Sequence, residues 1–226
     1  MKKILFVIAM EKEAKEIAKK LNLTEIKNDI VREKFETIEI KENYNNYPKI
    51  FTKNNISLLI TGIGKQQTAI NLTKYLENNK NNLPDVIINM GYAGSTNTQI
   101  GTWVNVNKSY NYEWNIPGEQ RYEIEGFEQE KLKNIDAPIK HLPCYSAESF
   151  VTSTDIKEDV VFDMELHSIY LICCMYGIDL ISLKKVSDNL NLDDYYKNID
   201  MKDVMELTSG LNFLENSCIC DEFIVK

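Results

Sequence analysis

Three acidic side chains stand where they could do chemistry: Glu13 in Met10-Glu11-Lys12-Glu13, Glu165 in Phe162-Asp163-Met164-Glu165, and Asp188 in Val186-Ser187-Asp188. Each follows a short apolar run. Carboxylates in different surroundings can divide acid and base work, one held protonated by burial and another ionised. Each also has a structural reading. Glu11 and Glu13 suit the first turn of a helix, where acids face the positive end of the dipole. Glu11 fits that reading well, whereas Glu13 lies off the apolar stripe of the helix that follows. Asp163 has the character of a helix cap and Glu165 of a first-turn acid. Asp188 ends the most apolar run of the second half. An acid there is either a cap or a proton donor raised by burial, because burying a charge without a partner is costly.

Two glycine-rich segments accompany the acids. Gly62-Ile63-Gly64-Lys65 resembles a phosphate loop only superficially, since Gln66 and Gln67 follow where the nucleotide-binding patterns require Gly or Gly-Lys-Ser/Thr. A tight strand-to-helix turn explains it as well. Gly91-Tyr92-Ala93-Gly94 has the same two readings; small residues there allow a ligand to approach the backbone closely. His141 and His167 are the two histidines, and the five cysteines contain no C-x-x-C pair. Neither set makes a metal signature, so no metal and no cofactor is expected. The histidines read as surface or packing residues, and the cysteines as reduced thiols of a cytoplasmic protein.

These residues need elements to position them. Ile4 to Ala9, Ile56 to Thr61, Asp85 to Met90 and Asp179 to Val186 are apolar runs of buried-strand length. Ala14, Ile17, Ala18 and Leu21 recur at helical spacing, as do Ala69, Leu72 and Leu76, and Leu166, Ile169, Tyr170, Cys173 and Cys174. A half-exposed strand is predicted around Ile38 and Ile40. Further strands are predicted over Ser146 to Thr152 and Val160 to Met164, helices over Glu165 to Tyr176 and Met201 to Leu214. Lys108 to Pro143 reads as loops and short strands outside the main sheet. Alternating strands and helices imply an α/β fold with a largely parallel sheet, one domain over 1–226. Ligands of such sheets sit beyond the carboxyl ends of the strands, where Glu13, both glycine segments, Glu165 and Ser187-Asp188 all fall.

Composition narrows the function. The chain has 226 residues and a net charge of −8, which disfavours nucleic acid as a partner. No apolar stretch is long enough for a membrane span, and Glu11-Lys12-Glu13 interrupts the apolar start where a signal peptide would need small residues. Arg32 and Arg121 are the only arginines, so an arginine cluster gripping phosphate within one chain is excluded.

Taken together, six segments carry a resemblance: Ile8-Ala9-Met10-Glu11-Lys12-Glu13, Thr61-Gly62-Ile63-Gly64-Lys65, Ile88-Asn89-Met90-Gly91-Tyr92-Ala93-Gly94, Ser149-Phe150-Val151, Asp163-Met164-Glu165 and Val186-Ser187-Asp188. In order and spacing they resemble the nucleoside phosphorylase superfamily, most closely its 5′-methylthioadenosine/S-adenosylhomocysteine nucleosidases. The resemblance implies an α/β domain with a central twisted mixed sheet flanked by helices, a homodimer, and cleavage of the N-glycosidic bond of a purine nucleoside. It implies that Asp188, beside Ser187, protonates purine N7, that Glu13 activates water, and that Glu165 binds the ribose hydroxyls. Phe150 would stack on the base and the Val151 backbone would read its edge. Met10, Ile63 and Met164 would line the ribose and 5′ substituent, and Tyr92, Gly94 and Ser187 would also bind the substrate. Phosphorolysis is the alternative; the arginine shortage and Glu13 disfavour it, since a carboxylate repels phosphate. A weakly catalytic nucleoside-binding protein is a second alternative. Tyr92 stands where the nucleosidases usually carry a small hydroxyl residue, Lys184-Lys185 replaces the usual Arg-Ala, and Tyr110 to Phe127 matches the family poorly.

Overall fold

In the computed structural model the described residues are 2–26, 48–124, 126–127, 129–199 and 206–215. Strands β1 (Ile4–Ile8), β4 (Ile56–Ile60), β5 (Val86–Ser95) and β9 (Asp179–Asp188) form where the apolar runs predict them. They lie parallel: β1 between β4 and β5, with β5 pairing onward to β9. Burial on both faces explains their continuous apolar character.

The helices cover this sheet. In α1 (Glu11–Lys20) the stripe Ala14, Ile17 and Ala18 is buried, and in α2 (Lys65–Asn78) Leu72 and Leu76 are fully buried. Helix α3 (Leu166–Tyr176) buries Leu166, Ile169, Tyr170 and Cys173 and ends on Gly177, whose φ of 71° is the left-handed cap that glycine tolerates. One apolar layer joins Ile17, Phe6, Ile88 and Leu214; the other joins Leu72, Ile87, Val186 and Ile169 on the opposite side of the sheet. Truncating one of these aliphatics to Ala would cost about 2–5 kcal/mol.

The sheet is mixed, as the family resemblance implies, and less parallel than the strand–helix alternation alone predicts. β2 (Thr24–Ile26) and β3 (Lys49–Lys53) add antiparallel beyond β4. The other half holds β6 (Trp103–Asn111), β7 (Lys140–Ser146) and β8 (Val161–Asp163). The order β2-β3-β4-β1-β5-β8-β7-β6-β9, with β5 also paired to β9, closes five strands into a ring.

This corrects the reading of Lys108 to Pro143. The end of β6 and the start of β7 fall in that range and belong to the ring, not to loops outside the sheet. Their polar residues hid them. Asn105 donates to Ser182 O (3.0 Å) and accepts from Ile135 N (2.9 Å), so this amide is satisfied inside a buried strand. The strand predicted over Ser146 to Thr152 is instead a loop, β7 having ended at Ser146. Ser187-Asp188 and Gly91 to Gly94 lie inside the ends of β9 and β5 and not after them. Helix α4 (Leu192–Ile199) follows β9, and α5 (Leu211–Glu215) keeps only the end of the predicted terminal helix. The strand predicted around Ile38 and Ile40, and Met201 to Met205, lie outside the described residues.

Candidate active site

The carboxyl ends of β1, β5 and β9 meet at one rim. Glu13, in the first turn of α1, folds back over that rim instead of facing solvent. It is 5% exposed, and its carboxylate accepts the N–H groups of Met10 (3.0 Å) and Tyr92 (3.2 Å). A Cβ on Gly91 would sit 3.1 Å from Glu13 Oε1. Burial pushes the Glu13 carboxyl above the ordinary range, while the two N–H groups and the Lys184 charge oppose it.

Asp188 stands at the end of β9, opposite Gly94, where the register with β5 shifts at a bulge. It is 1% exposed. Ser187 Oγ donates to Oδ2 (2.7 Å) and Leu190 N to Oδ1 (2.9 Å). Burial again wins over these donors and raises the carboxyl. A Cβ on Gly94 would come within 2.8 Å of Asp188 Oδ1. Leu190 holds its N–H on the acid with a φ of 60°, a left-handed conformation unfavourable for leucine.

Glu165 precedes α3 and reaches across to the turn after β4, where Gly64 N donates to Oε1 (2.9 Å). Gly62 and Gly64 have φ of 85° and 96°, so the turn does require glycine, and it also presents an N–H to an acid. Burial, then the like charge of Asp163, push Glu165 up to about 8.

Behind these acids lies a residue that motif reading registered only as a family departure. Lys184, 1% exposed within β9, pairs with Asp163 Oδ2 at 2.7 Å. Asp163 also accepts from Ser146 Oγ (2.5 Å) and from Leu166 N (2.9 Å), so it caps α3 as its sequence position predicts. Burial would raise Asp163, but the Lys184 charge outweighs it and holds the carboxyl below the ordinary range. A lysine inside the apolar run Ile181 to Val186 was the available signal: a buried ammonium demands a buried anion.

A cleft opens beside Asp188. Gly94, Phe150, Val151, Phe162, Met164 and Leu190 line it, together with Asp163 and Asp188. Of the predicted site residues it brings together Asp188, Gly94, Phe150, Val151 and Met164. Glu13, Glu165 and Ser187 lie buried around it. Met10 holds Glu13 through its N–H, and Ile63 is half exposed on the turn beside Gly64. Tyr92 contributes its N–H to Glu13 while its ring packs against the α1 layer of the core. Tyr195 of α4 meets Phe150 edge-on at 5.3 Å, a neighbour the sequence reading missed. The cleft holds about 40 Å³, room for water but not for a purine. A larger cleft of about 460 Å³ lies at the opposite ends of β1 and β4, lined by residues such as Ile50, Asn55 and Tyr75 and, among the described residues, by no acid or histidine. Chemistry therefore assigns the smaller one.

Buried acids gathered at the carboxyl ends of parallel strands, around a cleft with an aromatic wall, define an α/β protein equipped for acid–base work on a small molecule. The Phosphorylase superfamily model matches residues 3–209, and the chain belongs to that superfamily. No curated protein sequence gives a significant match. Among solved structures, a putative 5′-methylthioadenosine/S-adenosylhomocysteine nucleosidase from Francisella philomiragia is similar with a TM-score of 0.73, 18% identity, and coverage of 96% of this chain and 100% of that one. One from Borrelia burgdorferi bound to adenine gives 0.71, 22%, 94% and 99%. A futalosine hydrolase mutant of Helicobacter pylori gives 0.72, 14%, 95% and 98%. At these identities the likeness concerns the fold.

Proposed function

We propose that this chain is a nucleosidase, one catalytic domain over 1–226 that hydrolyses the N-glycosidic bond of a purine nucleoside, 5′-methylthioadenosine and S-adenosylhomocysteine being preferred. The observation that carries this reading is the pair of environments at the rim: Asp188 on the cleft wall, raised by burial, and Glu13 held by two backbone N–H groups close to Lys184.

The chemistry follows from those environments. A purine leaves poorly as an anion. Asp188, protonated, gives its proton to N7 as the C1′–N9 bond breaks and its electron pair moves onto the base. The ribosyl carbon becomes cationic, and buried carboxylates stabilise it. Glu13 takes a proton from water as the water oxygen bonds to C1′. Solvent then returns the proton from Glu13 to Asp188, and no cofactor enters. Glu165 accepts from the ribose hydroxyls, Phe150 and Val151 hold the base, and Met10, Ile63 and Met164 surround the sugar. Since the cleft is only water-sized, Phe150 and Leu190 part to admit the base.

Phosphorolysis finds little support. Arg121 bonds to Asp155 at 2.9 Å and lies over Tyr122 on the exposed surface, so it is already paired, as is Lys184. Arg32 lies outside the described residues. We further propose a homodimer in the cytoplasm, serving methionine salvage. The family resemblance supports the dimer; sedimentation tests it. The deciding experiment incubates the protein with methylthioadenosine, adenosylhomocysteine, adenosine, inosine and a futalosine-type nucleoside, with and without phosphate, and measures free base. Release without phosphate is expected. Release only with phosphate means a phosphorylase; binding without release means a binding protein.

A further inference from the structure

The segment least like the nucleosidases, beyond β6, is bonded to the candidate site at several points. The Tyr112 N–H donates to Ser146 O (3.0 Å), and its ring meets Phe162, a cleft wall, edge-on at 5.3 Å. Glu113 does more. Its Oε1 accepts the Glu148 N–H at 2.8 Å, and its Oε2 accepts from the Lys65 ammonium. Lys65 also donates to Asn111 Oδ1 (2.6 Å) and Ser146 O (3.4 Å).

The two ends of this bridge have separate tasks. Lys65 follows Gly64, whose N–H holds Glu165, the ribose carboxylate of the proposed reaction. Glu148 opens the loop that carries Phe150 and Val151 onto the cleft. Glu148 also backs onto the turn, its Oε2 lying 3.3 Å from where a Cβ on Gly64 would stand. One carboxylate therefore spans the ribose turn and the base loop. The Lys65 side chain is 11% exposed and held by these oxygens; Glu113 is 45% exposed, so the pair adds little to global stability.

We propose that Glu113 is a positioning residue: through Lys65 and the Glu148 N–H it fixes the separation between the turn at 62–64 and the loop at 147–151, and so the fit of the nucleoside between them. This rests on the nucleosidase reading for what the two segments bind, while the bridge itself does not.

The test compares wild type with Glu113→Ala and Glu113→Gln. In Glu113→Ala, KM for methylthioadenosine is expected to rise roughly tenfold or more with kcat changed far less, since loosened walls weaken binding before chemistry. Amide hydrogen exchange over 147–151 is expected to accelerate while Tm barely moves. Glu113→Gln, which keeps an acceptor for Glu148 N–H but loses the charge on Lys65, falls between. Unchanged exchange over 147–151 in Glu113→Ala overturns the bridge, as does a KM rise matched by a proportionate loss of Tm. If wild type releases no base from any nucleoside, the nucleosidase reading fails. Exchange over 147–151 and the affinity for adenine by calorimetry then still decide the bridge.

Discussion

At Gly91 and Gly94 the missing side chain makes room for an acid. Glu13 fills the space at the first and Asp188 at the second. The motif reading expected a ligand to approach the backbone there, where the structure brings two of the protein's own acids, and it named the three acids by type and position. It took Asp163 only as a helix cap and Lys184 only as a family departure, because their pairing spans β8 and β9 and has no local spacing to reveal it. Two predictions belong at this scale. Asp188→Asn should lower kcat by about 10²–10⁴-fold, the usual worth of a general acid. It should also flatten the alkaline limb of the kcat profile, because activity otherwise falls as Asp188 loses its proton; an unchanged limb would assign that limb to another group. Glu165 gives a stability signature. Its folded pKa of about 8 lies above its ordinary value of 4.5, so the folded state binds the extra proton. Its stabilising share is complete below the ordinary value and is lost as pH rises through about 8. The Tm of wild type should therefore fall between those pH values, and Glu165→Gln should fall less. Parallel Tm curves for the two proteins would refute the assignment.

Elements differ in how openly their residues announce them. β1, β4, β5 and β9 were legible because burial on both faces demands uninterrupted apolar runs. β6 and β7 were not, since Asn105, Ser109 and Pro143 break those runs and their partners lie far along the chain. The ring they complete holds a buried charged tie. Asp163 ends β8, caps α3 through the Leu166 N–H, and pairs with Lys184 inside β9. Removing the ammonium alone leaves a buried, uncompensated carboxylate. Lys184→Met should destabilise by about 3–5 kcal/mol, measured by urea unfolding. Adding Asp163→Asn should recover part of that loss, because it removes the orphaned charge. A double variant no more stable than the single one would show that the pair's charges do not set this effect and that Asp163 matters only as a hydrogen-bonding cap.

For the whole molecule, the ring and the rim together decide which ligands can approach. The closure of β5, β8, β7, β6 and β9 could not be read from the sequence, since it requires β5 to pair with both β8 and β9. What could be read was charge: a net −8 and two arginines. The structure places several of the chain's acids at the site. Glu13, Glu113, Glu148 and Asp163 stand around the cleft, while the cations there, Lys65 and Lys184, are already bonded to Glu113 and Asp163. A neutral nucleoside meets no penalty in this field, but a 5′-phosphate brings like charge into it where, among the described residues, Lys65 and Lys184 are already bonded. Adenosine 5′-monophosphate should therefore bind at least roughly tenfold more weakly than adenosine, about 1.4 kcal/mol. The gap should narrow as salt is raised, because the part of the repulsion that passes through solvent is screened beyond about 8 Å at physiological ionic strength. Calorimetry of both ligands at low and high salt makes the comparison. Equal affinities, or a preference for the monophosphate, would mean that the acids around the cleft are neutralised in the protein and do not exclude anionic substrates.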